Sequence, residues 1–210
     1  MFWENGLRFE SDPIRGQKTG FFFDQRDNRS KVERLASGKE VLNVFAYTGG
    51  FSVYAARGGA RRVVSVDANA TALATAKRNW THNRHVPPVG DSVHTTLAED
   101  AFEVLARLAA QGHHFNMVIL DPPAFIQRRK DLKKGLTAYR RINELGLRLL
   151  KPGGLLVSGS CSMHLGRADL MSAMQQAAVR AGCQLRVVEQ GAQGPDHPIH
   201  PAIPETEYLK

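Results

Sequence analysis

Short apolar runs alternate with amphipathic segments along most of the chain. From Glu40 onward, β-branched runs of strand length are followed by turn residues or by stretches of helical periodicity. This alternation predicts an α/β domain with a mostly parallel central sheet and helices on both faces. The predicted strands are residues 41–47, 62–66, 94–98, 117–121, 155–159 and 185–189. The predicted helices are residues 51–57, 70–83, 101–110, 132–150 and 168–181.

The first 36 residues depart from this pattern. Glycine and charged residues are mixed as far as residue 23, and a polar stretch of helical character follows over residues 27–36. We expect residues 1–36 to form a hairpin and a helix that cover the ligand end of the sheet, and residues 37–210 to form the main domain. Because the extended run at residues 206–210 has no cap or polar tail, we expect the last strand to be cut short.

Composition narrows the function classes. With 210 residues, 42% of them hydrophobic, the chain has enough apolar side chains for one core. No run reaches the ~18 apolar residues of a membrane span, and no secretory signal is present, so we expect a cytoplasmic protein. The two cysteines, Cys161 and Cys183, form no CxxC pair, and the closely spaced histidines have no evident third ligand. We therefore expect no disulfide and no metal.

Positive charge favours a polyanionic partner. Lys and Arg number 28 against 20 Asp and Glu, which gives a formal net charge of +8. The alternative is a basic protein whose charge serves only solubility.

Glycines and acids follow the first three predicted strands. Gly49 and Gly50 permit close approach of a ligand to the backbone ahead of a helix N-terminus. Asp67 follows Gly49 at about the 20-residue spacing at which an acid binds ribose hydroxyls. Asp100 ends the third strand, where its carboxylate can accept from an adenine amino group. Each aspartate alone could instead cap a helix. Together they predict an adenosine-type ligand, and the absence of GxGxxG argues against a nicotinamide dinucleotide.

Asp121-Pro122-Pro123-Ala124-Phe125 follows the fourth predicted strand. The two prolines make the backbone rigid at the carboxyl edge of the sheet. The pattern resembles the loop of nucleic-acid methyltransferases that faces the target base and whose acid hydrogen-bonds the base edge. A purely structural double-proline turn is the alternative.

Cys161 lies at the end of the fifth predicted strand, between Ser160 and Ser162. By position alone, a lone cysteine is more often a buried small side chain than a nucleophile. The nearby Asp-Pro-Pro loop favours the nucleophile, because a thiolate that adds to carbon 6 of cytosine activates carbon 5 for methylation. We expect Cys183, which follows Gly182, to serve packing.

Five stretches carry a resemblance over nearly the full length of the chain. They are residues 4–9, 16–26, 43–52, 121–125 and 160–162. In these stretches the chain resembles the RlmI-like large-subunit (23S) ribosomal RNA cytosine-C5 methyltransferases. Members of that family usually carry an N-terminal RNA-binding PUA domain, and this chain begins where their catalytic part starts.

The resemblance implies a class I, Rossmann-like methyltransferase fold preceded by a short β/loop segment. It implies S-adenosylmethionine (AdoMet) as cofactor, with 5-methylcytosine formed in ribosomal RNA. Cys161 would be the attacking thiol, and Asp121 would steady the cytosine. The residues taken to bind the cofactor are Phe21, Gln25, Arg26, Phe45, Tyr47, Thr48, Gly49, Asp67, Ala68, Asp100, Ala101, Asp121 and Pro122.

Basic residues directly after the Asp-Pro-Pro loop suggest where RNA binds. Phosphate contacts there would orient RNA without reading its sequence, and an aromatic ring would stack on an unpaired base. A solvated, charged helix face is the alternative. The residues expected to bind substrate are Pro123, Phe125, Arg128, Arg129 and Lys130.

Two other functions stay open at this point. A related methyltransferase could modify another position, guanine N7 or an exocyclic amine, without needing a thiol. A non-catalytic RNA- or ribosome-binding module could keep the AdoMet pocket without turnover.

Overall fold

A computed structural model of the protein describes residues 1–14 and 20–210. Residues 15–19 lie outside the described residues. They include residues 16–19 of the 16–26 stretch named above. The chain forms two compact units, Met1–Ala101 and Phe102–Lys210. A domain boundary at residue 36 stays a prediction. Within the described ranges, no helix is both long and apolar enough to cross a membrane.

The first unit combines a hairpin, three helices and three parallel strands. Strand β3 (Glu40–Val44) pairs with β4 (Arg62–Asp67), and β4 pairs with β5 (Val93–Ala98), in parallel. The strands of the hairpin, β1 (Phe2–Glu4) and β2 (Leu7–Phe9), are antiparallel. The remaining elements are α1 (Arg26–Leu35), β3 (Glu40–Val44), α2 (Gly50–Arg57), β4 (Arg62–Asp67), α3 (Ala70–Asn83) and β5 (Val93–Ala98).

The second unit contains two parallel strands and the helices that follow them. Helix α4 (Ala101–Ala110) leads into this unit from the end of β5. The other elements are β6 (Phe115–Leu120), α5 (Leu132–Arg148), β7 (Leu150–Ser158) and α6 (Arg167–Ala181). Strands β6 and β7 end in register, with Leu120 opposite Ser158. Their carboxyl ends therefore release the two following loops side by side.

Strands β3 and β4 are almost continuously buried, as expected for parallel strands that are covered on both faces. Their buried polar side chains Asn43 and Ser65 are connected through Ser52 on α2. Asn43 donates to the Ser52 hydroxyl at 2.8 Å, and Ser52 and Ser65 share a hydrogen bond of 2.7 Å. Ser65 continues the chain of contacts to His94, whose ring stacks on Trp80 with centroids 4.2 Å apart.

The first predicted strand extends three residues too far. Strand β3 ends at Val44 because Phe45 and Tyr47 have φ angles of 61° and 48°. Backbone in the left-handed region cannot continue a strand, and it is uncommon for aromatic residues. The strained turn begins directly at the end of β3.

The predicted strand over residues 185–189 is wrong. These residues have no regular secondary structure, and the apolar side chains Leu185 and Val188 are 39% and 76% exposed. A β-branched sequence favours extended backbone, but a strand forms only where a neighbouring strand offers its hydrogen-bonding edge.

Candidate active site

The turn between β3 and α2 is built around a glycine. Gly49 has a φ of +79°, and a Cβ atom there would lie 2.8 Å from the Cβ of Ala76 on α3. Both the backbone angle and the close approach of α3 therefore exclude a side chain. The backbone N–H of Tyr47 in this turn donates to Asp67 Oδ2 at 2.8 Å.

Asp67 anchors this turn and does not cap helix α3. Its Oδ1 atom accepts from the backbone N–H of Asn69 at 2.8 Å, so both carboxylate oxygens receive a backbone donor. The N-cap of α3 is Asn69, whose side chain accepts from the Ala72 N–H at 3.1 Å. The capping alternative for Asp67 is therefore wrong. Each carboxylate oxygen retains a second lone pair, and the half-buried group can still accept from a ligand hydroxyl.

Asn79 also shapes the turn, although sequence reasoning missed it. Its buried side chain donates to the Thr48 carbonyl at 2.9 Å and accepts from the Glu10 backbone N–H at 2.7 Å. The turn and the N-terminal segment are thus attached to the same side chain of α3. A polar residue at an inward position of an amphipathic helix was the available signal.

The remaining cofactor residues predicted after β4 and β5 lie at strand ends. Ala68 and Asp100 are exposed, and Ala101 is buried as the first residue of α4. Asp100 is therefore accessible to a ligand at the carboxyl end of β5. Its role stays a prediction.

Of the N-terminal residues predicted to cover the cofactor, Phe21 is only 2% exposed. Its ring contacts Phe2 and Phe9, with centroids 4.9 and 5.0 Å away. The neighbouring Phe22 instead faces the strained turn, with its ring centroid 5.3 Å from that of Tyr47. Phe22 is the more accessible aromatic of the two, and sequence reasoning missed it.

Gln25 and Arg26 lie where the N-terminal segment enters α1. Gln25 is buried and accepts a hydrogen bond from Asn28 at 2.7 Å, which orients its side-chain amide. Arg26 is partly exposed and pairs with Asp27 at 3.3 Å. Both contacts are local to the start of α1, and cofactor binding by these residues stays a prediction.

A buried ion pair holds the hairpin to this segment. Arg29 contacts both carboxylate oxygens of Glu4 at 2.7 Å and donates to the Phe22 carbonyl at 2.8 Å. The Tyr54 hydroxyl also donates to Glu4, and the pKa of Tyr54 is raised by burial and by the Glu4 charge. These bonds fix the backbone of Phe22.

In the second unit, Asp121 and the end of β7 are in close contact. The Gly159 N–H donates to the Leu120 carbonyl at 2.8 Å. A Cβ on Gly159 would lie 3.1 Å from Asp121 Oδ1, so the carboxylate lies against the backbone just before the cysteine. Pro122 is buried and Pro123 is exposed, which fixes one side of the loop and presents the other.

Cys161 is half-buried between two fully buried serines. The Ser160 hydroxyl donates to the Tyr139 hydroxyl at 2.7 Å, and Ser162 Oγ lies 2.8 Å from the same oxygen. Ser162 Oγ also accepts from the Ile126 N–H at 3.3 Å, which joins the cysteine loop to the loop after Asp121. Sequence reasoning did not single out Tyr139. Its only signal was a hydroxyl on the apolar face of α5.

The C-terminal residue borders the cysteine loop as well. Lys210 and Ser160 exchange two backbone hydrogen bonds of 2.9 and 3.0 Å. The Lys210 ammonium donates to the Ser162 carbonyl at 3.3 Å. Burial, opposed by the charges of Glu207 and Cys161, lowers the pKa of Lys210.

The predicted substrate residues divide into an aromatic and a basic part. The Phe125 ring packs on Tyr139, with centroids 4.9 Å apart, and is partly buried. Arg128, Arg129 and Lys130 are all exposed. The structure therefore offers accessible cations close in sequence to the Asp121 loop, while Phe125 is partly engaged in the core.

In each unit, predicted site residues lie at or near strand ends. The first unit presents a glycine turn and a half-buried carboxylate at strand ends, and their binding of a nucleoside stays a prediction. The second unit presents an acid, a rigid proline loop and a thiol in one cluster of loops.

A family model described as S-adenosylmethionine-dependent methyltransferase matches residues 2–206. A Ribosomal RNA large subunit methyltransferase from Deinococcus radiodurans is 45% identical over 210 residues, which are 100% of this chain and 50% of that protein. Ribosomal RNA large subunit methyltransferase I from Vibrio parahaemolyticus is 41% identical over 99% of this chain and 52% of its own length. The chain thus spans about half the length of the curated relatives that it matches.

Solved structures share the fold of the whole chain. An S-adenosylmethionine-dependent methyltransferase from Streptococcus mutans has a TM-score of 0.83 and 26% identity, and the match covers 98% of this chain and 52% of that one. A methyltransferase complexed with SAH has a TM-score of 0.85 and 25% identity, and the match covers 98% and 53%. These matches confirm the expected α/β, class I methyltransferase fold, and with the family model they confirm AdoMet as the cofactor. The chain belongs to the S-adenosylmethionine-dependent methyltransferase family.

Proposed function

We propose that this chain methylates carbon 5 of a cytosine in large-subunit ribosomal RNA, with Cys161 as the nucleophile. The printed names of the relatives from Deinococcus and Vibrio support an rRNA substrate. The choice of cytosine and of carbon 5 rests on the thiol and on its surroundings.

The observation that carries the proposal is the contact between the two loops of the second unit. The loop that holds Cys161 is hydrogen-bonded to Ile126, and Gly159 lies against the Asp121 carboxylate. The loops that hold Cys161 and Asp121, the proposed nucleophile and the proposed base-binding acid, are therefore neighbours at the carboxyl ends of adjacent parallel strands, where α/β folds place their ligands.

Cofactor binding is assigned to the first unit and to the start of the Asp121 loop. Asp67 would bind the ribose hydroxyls, Asp100 the adenine amino group, and the turn of residues 45–49 the rest of the nucleoside. Bound AdoMet supplies an electrophilic methyl group. The residues of this chain must orient that group and exclude water from it.

Carbon 5 of cytosine is a poor nucleophile, and the role of Cys161 would be to activate it. Its thiolate forms a bond to carbon 6, which makes the ring enamine-like and carbon 5 nucleophilic. After carbon 5 has accepted the methyl group, with S-adenosylhomocysteine as the leaving group, a base takes the proton from carbon 5. The carbon–sulfur bond then breaks, and the thiolate leaves. Asp121 would hold the edge of the cytosine during these steps.

RNA binding is assigned to the exposed residues after the Asp-Pro-Pro motif. Arg128, Arg129 and Lys130 are accessible to phosphates, and Pro123 is exposed on the loop. Phe125 would contribute the uncovered part of its ring to the unpaired base. Binding through phosphates predicts an affinity that falls as salt is raised.

The test is methyl transfer from labelled AdoMet to protein-free ribosomal RNA, followed by mass spectrometry of the nucleosides. Cys161→Ala is compared with the wild type, and Cys183→Ala is the matched control. Cys183 lies outside the site and, contrary to the expectation that it serves packing, is exposed. We expect 5-methylcytosine from the wild type and the control, and none from Cys161→Ala.

Two results would overturn the proposal. Product formed by Cys161→Ala would exclude the covalent route and indicate another base position, such as guanine N7 or an exocyclic amine. AdoMet binding without transfer to any RNA would favour the non-catalytic RNA- or ribosome-binding module.

A further inference from the structure

The hydroxyl of Tyr139 lies at the centre of a buried polar cluster beside Cys161. The Tyr139 side chain is fully buried, and its oxygen is 2.7 Å from Ser160 Oγ and 2.8 Å from Ser162 Oγ. Ser160 Oγ in turn accepts from the Ser162 N–H at 3.1 Å. The residues on both sides of Cys161 are thus tied to one phenol on α5.

The same phenol is connected to the loop after Asp121. The Ile126 N–H donates to Ser162 Oγ, which is itself hydrogen-bonded to the Tyr139 hydroxyl. The Phe125 ring also packs on the Tyr139 ring. Tyr139 therefore contacts both loops that carry the proposed chemistry.

Packing alone does not require a hydroxyl at position 139. A phenylalanine would fill nearly the same volume among Ile126, Leu165 and Leu170 without burying a hydroxyl. Burial raises the pKa of Tyr139, and the adjacent Cys161 adds to the rise. The phenol consequently keeps its proton, and since Ser160 donates to its oxygen, that proton is available to Ser162 Oγ.

We propose that Tyr139 is a positioning residue whose buried hydroxyl holds the Cys161 loop against the Asp121 loop. The inference rests on the proposed function, in which the thiol must meet carbon 6 of a base held by Asp121. A displacement of about 1 Å between two such groups can cost about 100-fold in rate.

The test is Tyr139→Phe, which removes the hydroxyl and keeps the ring. We expect kcat for RNA methylation to fall about 10- to 100-fold. The Kd for AdoMet should change less than about twofold, because Asp67 and Asp100, which would bind the nucleoside, lie in the first unit and outside the Tyr139 cluster. A loss of folded protein would instead lower the apparent kcat and the number of AdoMet sites per chain together. A second readout is the alkylation rate of Cys161 by iodoacetamide as a function of pH. In a Cys183→Ser background, Cys161 is the sole thiol, since the chain has 2 cysteines. We expect Tyr139→Phe to change this rate by a factor of about three or more, because the loop that carries the thiol is released.

Tyr54→Phe is the matched control for lost stability. Tyr54 is also fully buried, and its hydroxyl is bonded to Glu4 at 2.9 Å, in the first unit. We expect Tyr54→Phe to lose stability as well, and to leave the alkylation profile of Cys161 as in the wild type. If Tyr139→Phe does not fold, Ser160→Ala removes one bond of the cluster and is expected to act in the same direction.

The inference is overturned if Tyr139→Phe keeps the wild-type alkylation profile and a kcat within about twofold. It is also overturned if AdoMet affinity falls in step with kcat. Failure of the proposed function has a different signature, which is methyl transfer by Cys161→Ala. The alkylation measurement needs no methyl transfer, so it decides the role of Tyr139 even then.

Discussion

Replacing Gly135 by alanine should destabilise the protein, although the local sequence suggests the opposite. Gly135 lies inside α5, where alanine is favoured over glycine by about 1 kcal/mol. In the folded chain, however, a Cβ on Gly135 would lie 2.1 Å from Ile126 Cγ1 and 3.1 Å from the Phe125 carbonyl oxygen. Ile126 is 1% exposed and packed on all sides, so it has little room to move.

The magnitude follows from these two opposing effects. Overpacking of a buried site costs about 1–3 kcal/mol, and a contact as short as 2.1 Å on a γ carbon favours the upper end. After the gain in helix propensity, we expect Gly135→Ala to lower the free energy of unfolding by about 1–2 kcal/mol. Gly146→Ala in the same helix meets mainly side-chain ends, at 3.0 Å from Leu120 Cδ1, and should cost less.

The assay is urea unfolding of a double-mutant cycle with Ile126→Ala. That variant alone should cost about 2–5 kcal/mol, because it empties a buried site. In its background the Cγ1 atom is gone, and Gly135→Ala should become neutral or stabilising by up to about 1 kcal/mol. If Gly135→Ala stabilises the wild type, or costs the same in both backgrounds, the contact with Ile126 does not determine the effect.

Three further predictions concern the first unit. Gly49→Ala should destabilise more than Gly38→Ala, because both have positive φ but only Gly49 is in close contact with α3. Equal losses in urea unfolding would contradict this. Burial lowers the pKa of His94 to about 4 from 6.5, so the unfolded chain binds more protons between these values. We therefore expect the free energy of unfolding to be about 2 kcal/mol lower at pH 5 than above pH 6.5. The decrease should be smaller in His94→Gln, as thermal unfolding at both pH values would show. Glu4→Gln leaves a buried arginine charge unpaired and should cost about 3–5 kcal/mol. Glu33→Gln, whose ion pair is partly exposed, should cost clearly less in the same unfolding assay.

The parts of the site that were predictable follow from local patterns. Asp67 ends β4 and Asp121 directly follows β6, while Asp100 and Cys161 lie shortly after the ends of β5 and β7. Strand ends can be read from the change of hydrophobic periodicity. The segment over residues 185–189 shows the limit of that approach. Its β-branched residues favour extended backbone, but a strand also needs a neighbouring strand with which to form hydrogen bonds. Strand propensity does not tell whether such a neighbour is present.

Residues that act across long sequence separations were not predictable. Asn79 bonds Thr48 from 31 positions away, and Tyr139 bonds Ser162 from 23 positions away. Neither residue belongs to a motif, and each looks like an ordinary helix position in the sequence. Their roles depend on which loops the folded backbone brings to them.

The sequence by itself determined the α/β class, the order of most helices and strands, and the candidate acids and thiol. These are properties of neighbouring residues, set by periodicity, glycine and proline. Tertiary structure alone decided that Asn69 rather than Asp67 caps α3, that Phe22 rather than Phe21 faces the turn, and that Tyr139 joins two loops. Such outcomes depend on distances between residues far apart in the chain, which only the packing of the folded backbone determines.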